Sequence, residues 1–238
     1  MKFTATLKEN KNCYASATQR EILMALVNKK VLGDNFFLTG GTALAVFYLH
    51  HRRSNDLDFF TLSSTDLSEI DFFLKSNWRN QYSKIKESAN FLSALLKNVR
   101  VDFVIDPLSF DEEREKYFLD SNLFLLVDTA HNIVTNKFCT IASRIEPKDF
   151  IDFYFINRKL NISSLEGLYE DARKKDAIFD DPPTVAYQIE QGLNFIEKNP
   201  SLFPELLIDF SSDDFYRFYR ESIDWIYRKI KLKMNNRG

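Results

Sequence analysis

A glycine pair and two aspartates in the first quarter of the chain have the residue types that phosphate and metal chemistry require. Gly40 and Gly41 follow a short apolar segment, and Asp56 and Asp58 come one short helix later. Side chains alternate across a strand, so carboxylates at this spacing share one face. Paired carboxylate oxygens suit Mg²⁺, and glycines at a helix start let backbone N–H groups approach an anion. The pattern favours nucleotidyl transfer.

A third carboxylate on a neighbouring strand would complete a two-metal site. Asp102 lies inside the apolar strand segment 99–105, where a charged side chain is costly unless it has a charged partner. Asp106 is the alternative, but it precedes Pro107, and this position favours a role in a turn. We therefore take Asp102 as the third candidate ligand.

The polar residues around this pattern have two interpretations each. Thr42, with the two glycines, belongs either to a phosphate-binding turn or to a simple turn between strand and helix. Ser54 can donate to a phosphate or cap the turn. Of Arg52 and Arg53, one is expected to contact phosphate and the other to form a surface ion pair. We assign Thr42, Arg53 and Ser54 to nucleotide binding.

A second group of charged residues lies on predicted helices in the middle of the chain. Lys137 and Arg144 fall on one helical face, from which they can reach a triphosphate, or Lys137 can extend along the edge of the core. Asp149 and Asp152 share a face of the next helix. They can cap it or pair with Arg144 or Lys148, but for Asp149 we favour holding Lys137 or the nucleotide in place.

The bulk composition describes an ordinary globular chain. It has 238 residues, 45% of them hydrophobic, and a net charge of −2, which excludes a uniformly basic nucleic-acid-binding surface. Two isolated cysteines fit neither a disulfide framework nor a zinc site. We expect a cytoplasmic protein with no membrane partner, because neither a signal-peptide pattern nor an apolar run of about 20 residues is present.

Hydrophobic periodicity predicts an α/β (α+β) fold, a mixed sheet backed by helices and followed by an all-helical C-terminal lobe. The predicted domains are residues 1–127, which carry the catalytic residues, and 128–238. Strands are predicted at 36–39, 56–61, 99–105 and 123–127, with one or two more between 78 and 98. Helices are predicted at 16–30, 42–50, 65–77, 129–145, 148–160, 163–175, 182–198 and 211–233.

The last predicted helix alternates aromatic and basic residues, a pattern that can bind RNA by stacking and by phosphate contacts. The alternative, which we favour slightly, is an amphipathic helix with aromatic residues in the core and a solvated basic face.

Taken together, the motifs resemble those of the AbiEii/AbiGii-type nucleotidyltransferase toxins, members of the DNA polymerase β-like nucleotidyltransferase superfamily. The resemblance covers roughly residues 36–157. The segments that carry it are Gly-Gly-Thr-Ala-Leu-Ala (40–45), His-Arg-Arg-Ser-Asn-Asp-Leu-Asp-Phe-Phe (51–60), Val-Asp-Phe (101–103), Asn-Lys-Phe (136–138) and Lys-Asp-Phe-Ile-Asp-Phe-Tyr (148–154).

The resemblance implies a nucleotidyltransferase-type fold that moves a nucleotide from an NTP with Mg²⁺, or Mn²⁺ as an alternative. It implies an RNA acceptor such as a tRNA 3′ end, and a toxin of a toxin–antitoxin or abortive-infection system with an antitoxin partner. By position, Asp56, Asp58 and Asp102 would bind metal or act in catalysis, and Lys137 and Asp149 would belong to the nucleotide pocket. Two other readings stay open, a non-catalytic nucleotide- or partner-binding module and a metal-dependent phosphohydrolase.

Overall fold

The computed structural model describes residues 7–160 and 162–235, with side chains up to residue 229. Its contacts divide the chain into two compact units, Met1–Ile133 and Val134–Gly238. The first unit contains a sheet with helices, and the second is helical. The described part of the chain thus has the mixed α/β architecture that the sequence predicts.

Short elements alternate through the first unit. They are α1 (Ala17–Asn28), β1 (Phe37–Thr39), α2 (Gly40–Ala43), β2 (Leu57–Thr61), α3 (Leu67–Trp78), β3 (Tyr82–Ser88), β4 (Phe91–Leu96), β5 (Val99–Ile105), β6 (Glu115–Phe118) and β7 (Phe124–Val127). A π-helical stretch, Leu44–Leu49, continues α2 and ends at His50, whose left-handed backbone stops the helix.

The seven strands form one mixed sheet in the order β3-β4-β5-β2-β1-β7-β6. Near its middle, β2 pairs in parallel with β5 and antiparallel with β1. A two-residue turn, Lys97-Asn98, joins β4 to β5, and both residues have the positive φ that tight hairpins require. β2 is therefore flanked on both sides by strands that can carry side chains to the same place.

Alternation along β2 separates the core from the candidate chemistry. Leu57, Phe59 and Thr61 are buried, whereas Asp58 and Phe60 are half-buried. Phe59 stacks on Phe103 of β5 with ring centroids 5.4 Å apart. Because neighbouring residues of a strand point to opposite faces, packing of Phe59 against Phe103 fixes the direction in which Asp58 points.

The structure has more strands between residues 78 and 122 than the two or three that the sequence predicts. There are four, β3 to β6. β3 is an edge strand with mostly exposed residues, and β6 is a short edge strand whose residues alternate between half-buried and exposed. Edge strands of this kind lack the apolar pattern on which sequence prediction depends.

The second unit consists of helices packed through aromatic side chains. Its elements are the C-terminal part of α4 (Ala130–Ser143), followed by α5 (Pro147–Lys159), α6 (Leu165–Lys175), α7 (Pro182–Lys198) and α8 (Ser212–Asn235). Phe138 contacts Phe153 and Phe179 at centroid distances of 4.8 and 5.1 Å. The buried hydroxyl of Tyr219 donates to the main-chain oxygen of Phe150 at 2.7 Å.

A fully buried aspartate, Asp128, fixes the end of β1. Its Oδ2 accepts from the hydroxyl of Thr39 at 2.6 Å and from the amide of Asn132 at 2.7 Å. Arg114 places Nε 3.1 Å from Oδ1, and its guanidinium lies 4.1 Å from the ring centre of Phe37. Thr39 is the residue before Gly40, so this network holds the strand end from which the glycine turn begins.

We expect Asp128→Ala to lower the free energy of unfolding by about 3–5 kcal/mol, because Arg114 would keep a buried charge without its carboxylate. The matched control is Asp120→Ala, which removes an exposed turn aspartate of the same unit and should cost much less. Urea denaturation measures both values. Equal losses for the two variants would contradict a structural role for the Asp128 network.

Candidate active site

The candidate site is built around Asp58, which lies directly opposite an aspartate on the neighbouring strand. Asp58 pairs in register with Asp102 of β5 on one side and with Thr39 of β1 on the other. Adjacent strands lie about 4.8 Å apart, and residues in register project from the same face of the sheet. Asp56 precedes β2 by one residue and is half-buried like Asp58. The structure therefore brings Asp58 and Asp102 together, as predicted.

The glycine turn lies against the Asp58 carboxylate. Gly40 has φ +66°, and a Cβ at this position would be 2.7 Å from Oδ2 of Asp58. A Cβ on Gly41 would be 2.5 Å from Nη2 of Arg52 and 3.1 Å from Oγ of Ser54. Both glycines are needed because these polar groups approach the backbone closely. The glycine turn, Ser54 and Asp58 thus share one site.

Thr42 joins the glycine turn to the segment that carries Asp56. Its buried hydroxyl oxygen lies 2.9 Å from Oγ of Ser54 and also contacts the main-chain oxygen of Asp56. The side-chain amide of Gln19, fully buried on α1, donates to that same main-chain oxygen at 3.2 Å. Thr42 and Gln19 therefore position the backbone of Asp56. No pattern in the sequence pointed to Gln19.

The segment before α1 forms main-chain hydrogen bonds with Ser54 in the turn before Asp56. The main-chain N–H of Ser54 donates to the oxygen of Cys13 at 2.9 Å, and that of Ala15 donates to the oxygen of Ser54 at 3.1 Å. Cys13 is fully buried, and burial raises the pKa of its thiol, although the charge of Arg52 partly opposes this. A high thiol pKa argues for a structural cysteine.

The structure separates the two candidate arginines. Arg52 is 3% exposed, lies beside Gly41, and donates from Nη1 to the main-chain oxygen of Arg53 at 2.8 Å. Arg53, which we assigned to nucleotide binding, is exposed. Arg52 is therefore the arginine that lies against the glycine turn.

Asp102 has a cationic partner that the sequence analysis missed. Nε of Arg100 lies 3.0 and 3.1 Å from the two carboxylate oxygens of Asp102, and Nη2 lies 2.9 Å from Oδ2. Ser93, in register on β4, donates to Oδ1 at 2.5 Å. The spacing of Arg100 and Asp102 on one strand is the signal that could have predicted their contact.

Asp106, the alternative third carboxylate, caps a turn. Its Oδ1 accepts from the main-chain N–H of Leu108 at 3.0 Å, and its Oδ2 accepts from the hydroxyl of Ser109 at 2.7 Å. This is the role that its position before Pro107 predicts.

The donor types of the site suit a hard divalent cation. Hydrogen bonding to Asp102 raises the pKa of Arg100, against the effect of burial, and the charges of Asp102, Asp56 and Asp58 add to this rise. All three carboxylates thus act on one cationic group, as they would on a metal ion. Among residues 7–160 and 162–235, however, no group of three or more His, Cys, Asp or Glu side chains is arranged to hold a metal.

Lys137 and Asp149 belong to a charged cluster inside the second unit. Nζ of Lys137 lies 2.6 Å from Asp149 and 2.7 Å from Asp152, and Arg144 binds the other oxygen of Asp149 at 2.7 Å. Burial alone would raise the pKa of Asp149, but Lys137 and Arg144 outweigh it and hold this pKa below its usual range. The cluster contains two positive and two negative groups, and Asp149 pairs both with Lys137, the contact we favoured, and with Arg144, the alternative.

Two of the six aromatic residues of α8 are buried, three are half-buried, and Tyr227 is exposed. Phe215 and Tyr219 are fully buried, and Lys229 lies between the rings of Tyr169 and Trp225 while its ammonium binds Glu170 at 2.8 Å. Lys231 and Lys233, also part of the predicted basic face, lie outside the described side chains. The contacts favour the amphipathic packing helix over an RNA-stacking surface.

Every helix in the described part of the chain is too short or too polar to cross a bilayer.

Comparison with known protein families identifies one whose sequence profile matches most of this chain. The sequence profile described as nucleotidyl transferase AbiEii toxin, type IV TA system, matches residues 21–228. The protein aq_aa25 of Aquifex aeolicus (strain VF5) is 33% identical over 144 residues, which are 59% of this chain and 66% of that protein's own length.

Two solved structures are similar over most of their length. JHP933 from Helicobacter pylori has a TM-score of 0.51 at 16% identity, with 96% of this chain and 97% of that chain covered. The nucleotidyltransferase toxin MenT4 (Rv2826c) from Mycobacterium tuberculosis H37Rv has a TM-score of 0.50 at 14% identity, covering 88% and 82%. At these identities the similarity establishes the fold.

We expect Gly40→Ala to destabilise the chain more than Gly33→Ala. Both glycines have positive φ, so alanine costs about 1–2 kcal/mol of backbone strain at either site. Only at Gly40 does the added methyl meet Asp58, since a Cβ on Gly33 has no atom within 4 Å. Chemical denaturation compares the two variants, and equal losses would mean that Asp58 does not constrain Gly40.

We expect Lys137→Met to lower stability at pH 7, by an amount that shrinks in acid. The low pKa of Asp149 stabilises the folded state above about pH 4, and this contribution is lost as the pH falls through the folded pKa. Without Lys137 that contribution is smaller, because only Arg144 remains to lower the pKa of Asp149. Unfolding curves from pH 7 to pH 3 test this, with exposed Lys174→Met as the control. A pH-independent difference would contradict it.

Proposed function

The chain belongs to the AbiEii family of nucleotidyl transferase toxins of type IV toxin–antitoxin systems, and from this premise we propose a Mg²⁺-dependent transfer of a nucleoside monophosphate from an NTP to an acceptor hydroxyl. Membership implies a nucleotidyltransferase, and we propose an NTP substrate and a cognate antitoxin for it. The observation that carries the proposal is the pairing of Asp58 with Asp102 beside the glycine turn.

Asp56 and Asp58 would hold the cation, and Asp102 would either complete its ligand set or accept the proton of the acceptor hydroxyl. When bound, Mg²⁺ would offset charge on the phosphates and make the acceptor hydroxyl easier to deprotonate. The residues supply hard oxygen donors from two neighbouring strands whose register is fixed by the packing of Phe59 on Phe103. Mn²⁺ is the alternative cation for the same donors.

The triphosphate would lie at the glycine turn. Main-chain N–H groups of Gly40 and Gly41 at the start of the helical segment are suited to phosphate oxygens. Ser54 contributes a hydroxyl beside Gly41, and Arg53 contributes an exposed positive charge from the same turn. Thr42 would act by holding Ser54 and the backbone of Asp56 in place.

The chemistry is an in-line substitution at the α-phosphorus. The acceptor oxygen forms a bond to phosphorus, the bond to the bridging oxygen breaks, and pyrophosphate leaves with the electron pair. The proton of the acceptor passes to a carboxylate or to water. Most of the rate gain would come from positioning and charge stabilisation, as in other phosphoryl transfers.

Lys137 and Asp149 are proposed for the nucleotide pocket on the resemblance of their motifs. Within the second unit, Asp149 and Asp152 fix the position of the Lys137 ammonium. This pre-organisation favours a binding role for the lysine. The ion pairs also account for the burial of Lys137, which is 8% exposed.

The acceptor that we propose is RNA, with a tRNA 3′ end as the first candidate, and the setting is a cytoplasmic toxin that acts in abortive infection. This proposal rests on the resemblance of the motifs and not on the aromatic residues of α8, of which Phe215 and Tyr219 are fully buried.

We expect purified protein with Mg²⁺, the four α-labelled NTPs in turn, and total RNA to label a discrete RNA band. Asp58→Asn should reduce labelling on the order of a hundredfold, because a charge that neutralises the transition state is lost. Asp106→Asn is the matched control, since this aspartate caps a turn and should keep full activity. Wild-type activity in Asp58→Asn would contradict the mechanism.

The acceptor atom is tested by periodate oxidation of the RNA, which destroys the terminal 3′-diol. Loss of labelling identifies the 3′ end, and retained labelling places the acceptor elsewhere. Label on protein would keep the chemistry but overturn the RNA acceptor. Absence of transfer from all four NTPs to RNA or protein would contradict the proposed function.

A further inference from the structure

Arg100 is placed differently from an ordinary surface arginine. It lies two residues before Asp102 on β5, so both side chains leave the same face of the strand. Its side chain is 46% exposed, whereas that of Asp102 is 12% exposed. An exposed ion pair between mobile side chains contributes little, but here the carboxylate is nearly buried and held by a third group, Ser93.

The geometry of this pair uses the same oxygen atoms that a metal would use. Both carboxylate oxygens of Asp102 lie within 3.1 Å of Nε of Arg100, Oδ2 also lies 2.9 Å from Nη2, and Oδ1 accepts from Ser93. Such two-point pairing is the strong form of a charged hydrogen bond. A cation that binds Asp102 therefore competes with the guanidinium for the lone pairs of these oxygens.

The surroundings of Asp102 explain why a positive group is present there. Asp58 lies opposite Asp102 in register, and Asp56 is two residues before Asp58. Negative charges this close repel each other, and a cation among them relieves the repulsion. The charges of Asp56 and Asp58 both act on Arg100, so its guanidinium serves the whole group and not Asp102 alone.

We propose that Arg100 is an internal counter-ion that competes with the divalent cation for Asp102 and thereby sets how tightly the chain binds that cation. This inference rests on the proposed function, in which Asp56 and Asp58 hold the cation, and on the version of it in which Asp102 completes the ligand set. Removing the charge of Arg100 removes both the competing hydrogen bonds and the repulsion on an incoming dication. Loss of one charge a few ångströms from a dication corresponds to about a tenfold gain in affinity.

The test measures binding of Mn²⁺ alone to the full chain, from the electron paramagnetic resonance signal of free Mn²⁺. We expect Arg100→Gln to bind Mn²⁺ about tenfold more tightly than the wild type. Arg100→Lys keeps the charge but loses the two-point contact, so its affinity should lie between the two. Arg173→Gln, which removes an arginine from exposed ion pairs of the second unit, is the matched control and should leave the affinity unchanged.

Asp58→Asn separates failure of this inference from failure of the proposed function. Loss of Mn²⁺ binding in Asp58→Asn, with unchanged or weaker binding in Arg100→Gln, would overturn only the counter-ion role. Wild-type Mn²⁺ affinity in Asp58→Asn would place the cation elsewhere and overturn both. Thermal unfolding verifies that each variant is folded. If Arg100→Gln is not folded, Arg100→Lys decides the test. A Mn²⁺ affinity of Arg100→Lys equal to that of the wild type would then overturn the counter-ion role.

Discussion

The parallel register of β2 against β5, which sets Asp58 opposite Asp102, is the constraint on which the first unit depends. This parallel pairing sets the two carboxylates opposite each other, and Asp56 is the residue immediately before β2. Left to themselves, such charges would favour separation or protonation. The fold keeps them together by burying the other face of the same strands, where Phe59 stacks on Phe103 and Phe36 meets Phe103 edge-on. Apolar packing on one face of β2 and β5 thus keeps the carboxylates together on the other face.

The remaining parts of the unit hold the backbone around this charged face. Asp128 and Arg114 fix the end of β1 through Thr39, and Gln19 and Thr42 fix the main chain at Asp56. Gly40 then passes so close to Asp58 that only a residue without a side chain fits. A site that binds triphosphate and cation needs groups arranged before the ligands arrive, and these contacts supply that arrangement.

The local features of this site could be predicted from the sequence, and the long-range ones could not. Gly40, Gly41, Asp56 and Asp58 lie within nineteen positions of one another, and the period-two rule with turn chemistry is enough to place them together. Asp102 was predicted because a charge inside an apolar strand demands a partner. The partner itself, Arg100, lies on an exposed strand position that resembles ordinary solvated surface.

Contacts between distant segments leave no pattern in a single sequence. Thr39 and Asp128 are 89 residues apart, and Gln19 reaches Asp56 across 37. The amphipathic helices of the second unit were predicted near their observed ends, because their periodicity extends over several turns. The bounds of the polar edge strands β3 and β6 were not predicted, since their exposed residues show little hydrophobic periodicity.

The most direct test of the central claim is the position of a bound cation. Crystals grown with Mn²⁺ and a non-hydrolysable NTP analogue would locate it from the anomalous scattering of manganese. We predict a peak within about 2.5 Å of carboxylate oxygens of both Asp56 and Asp58, with the triphosphate at Gly40 and Gly41. A manganese peak remote from these aspartates, or a triphosphate bound away from the glycine turn, would contradict the account.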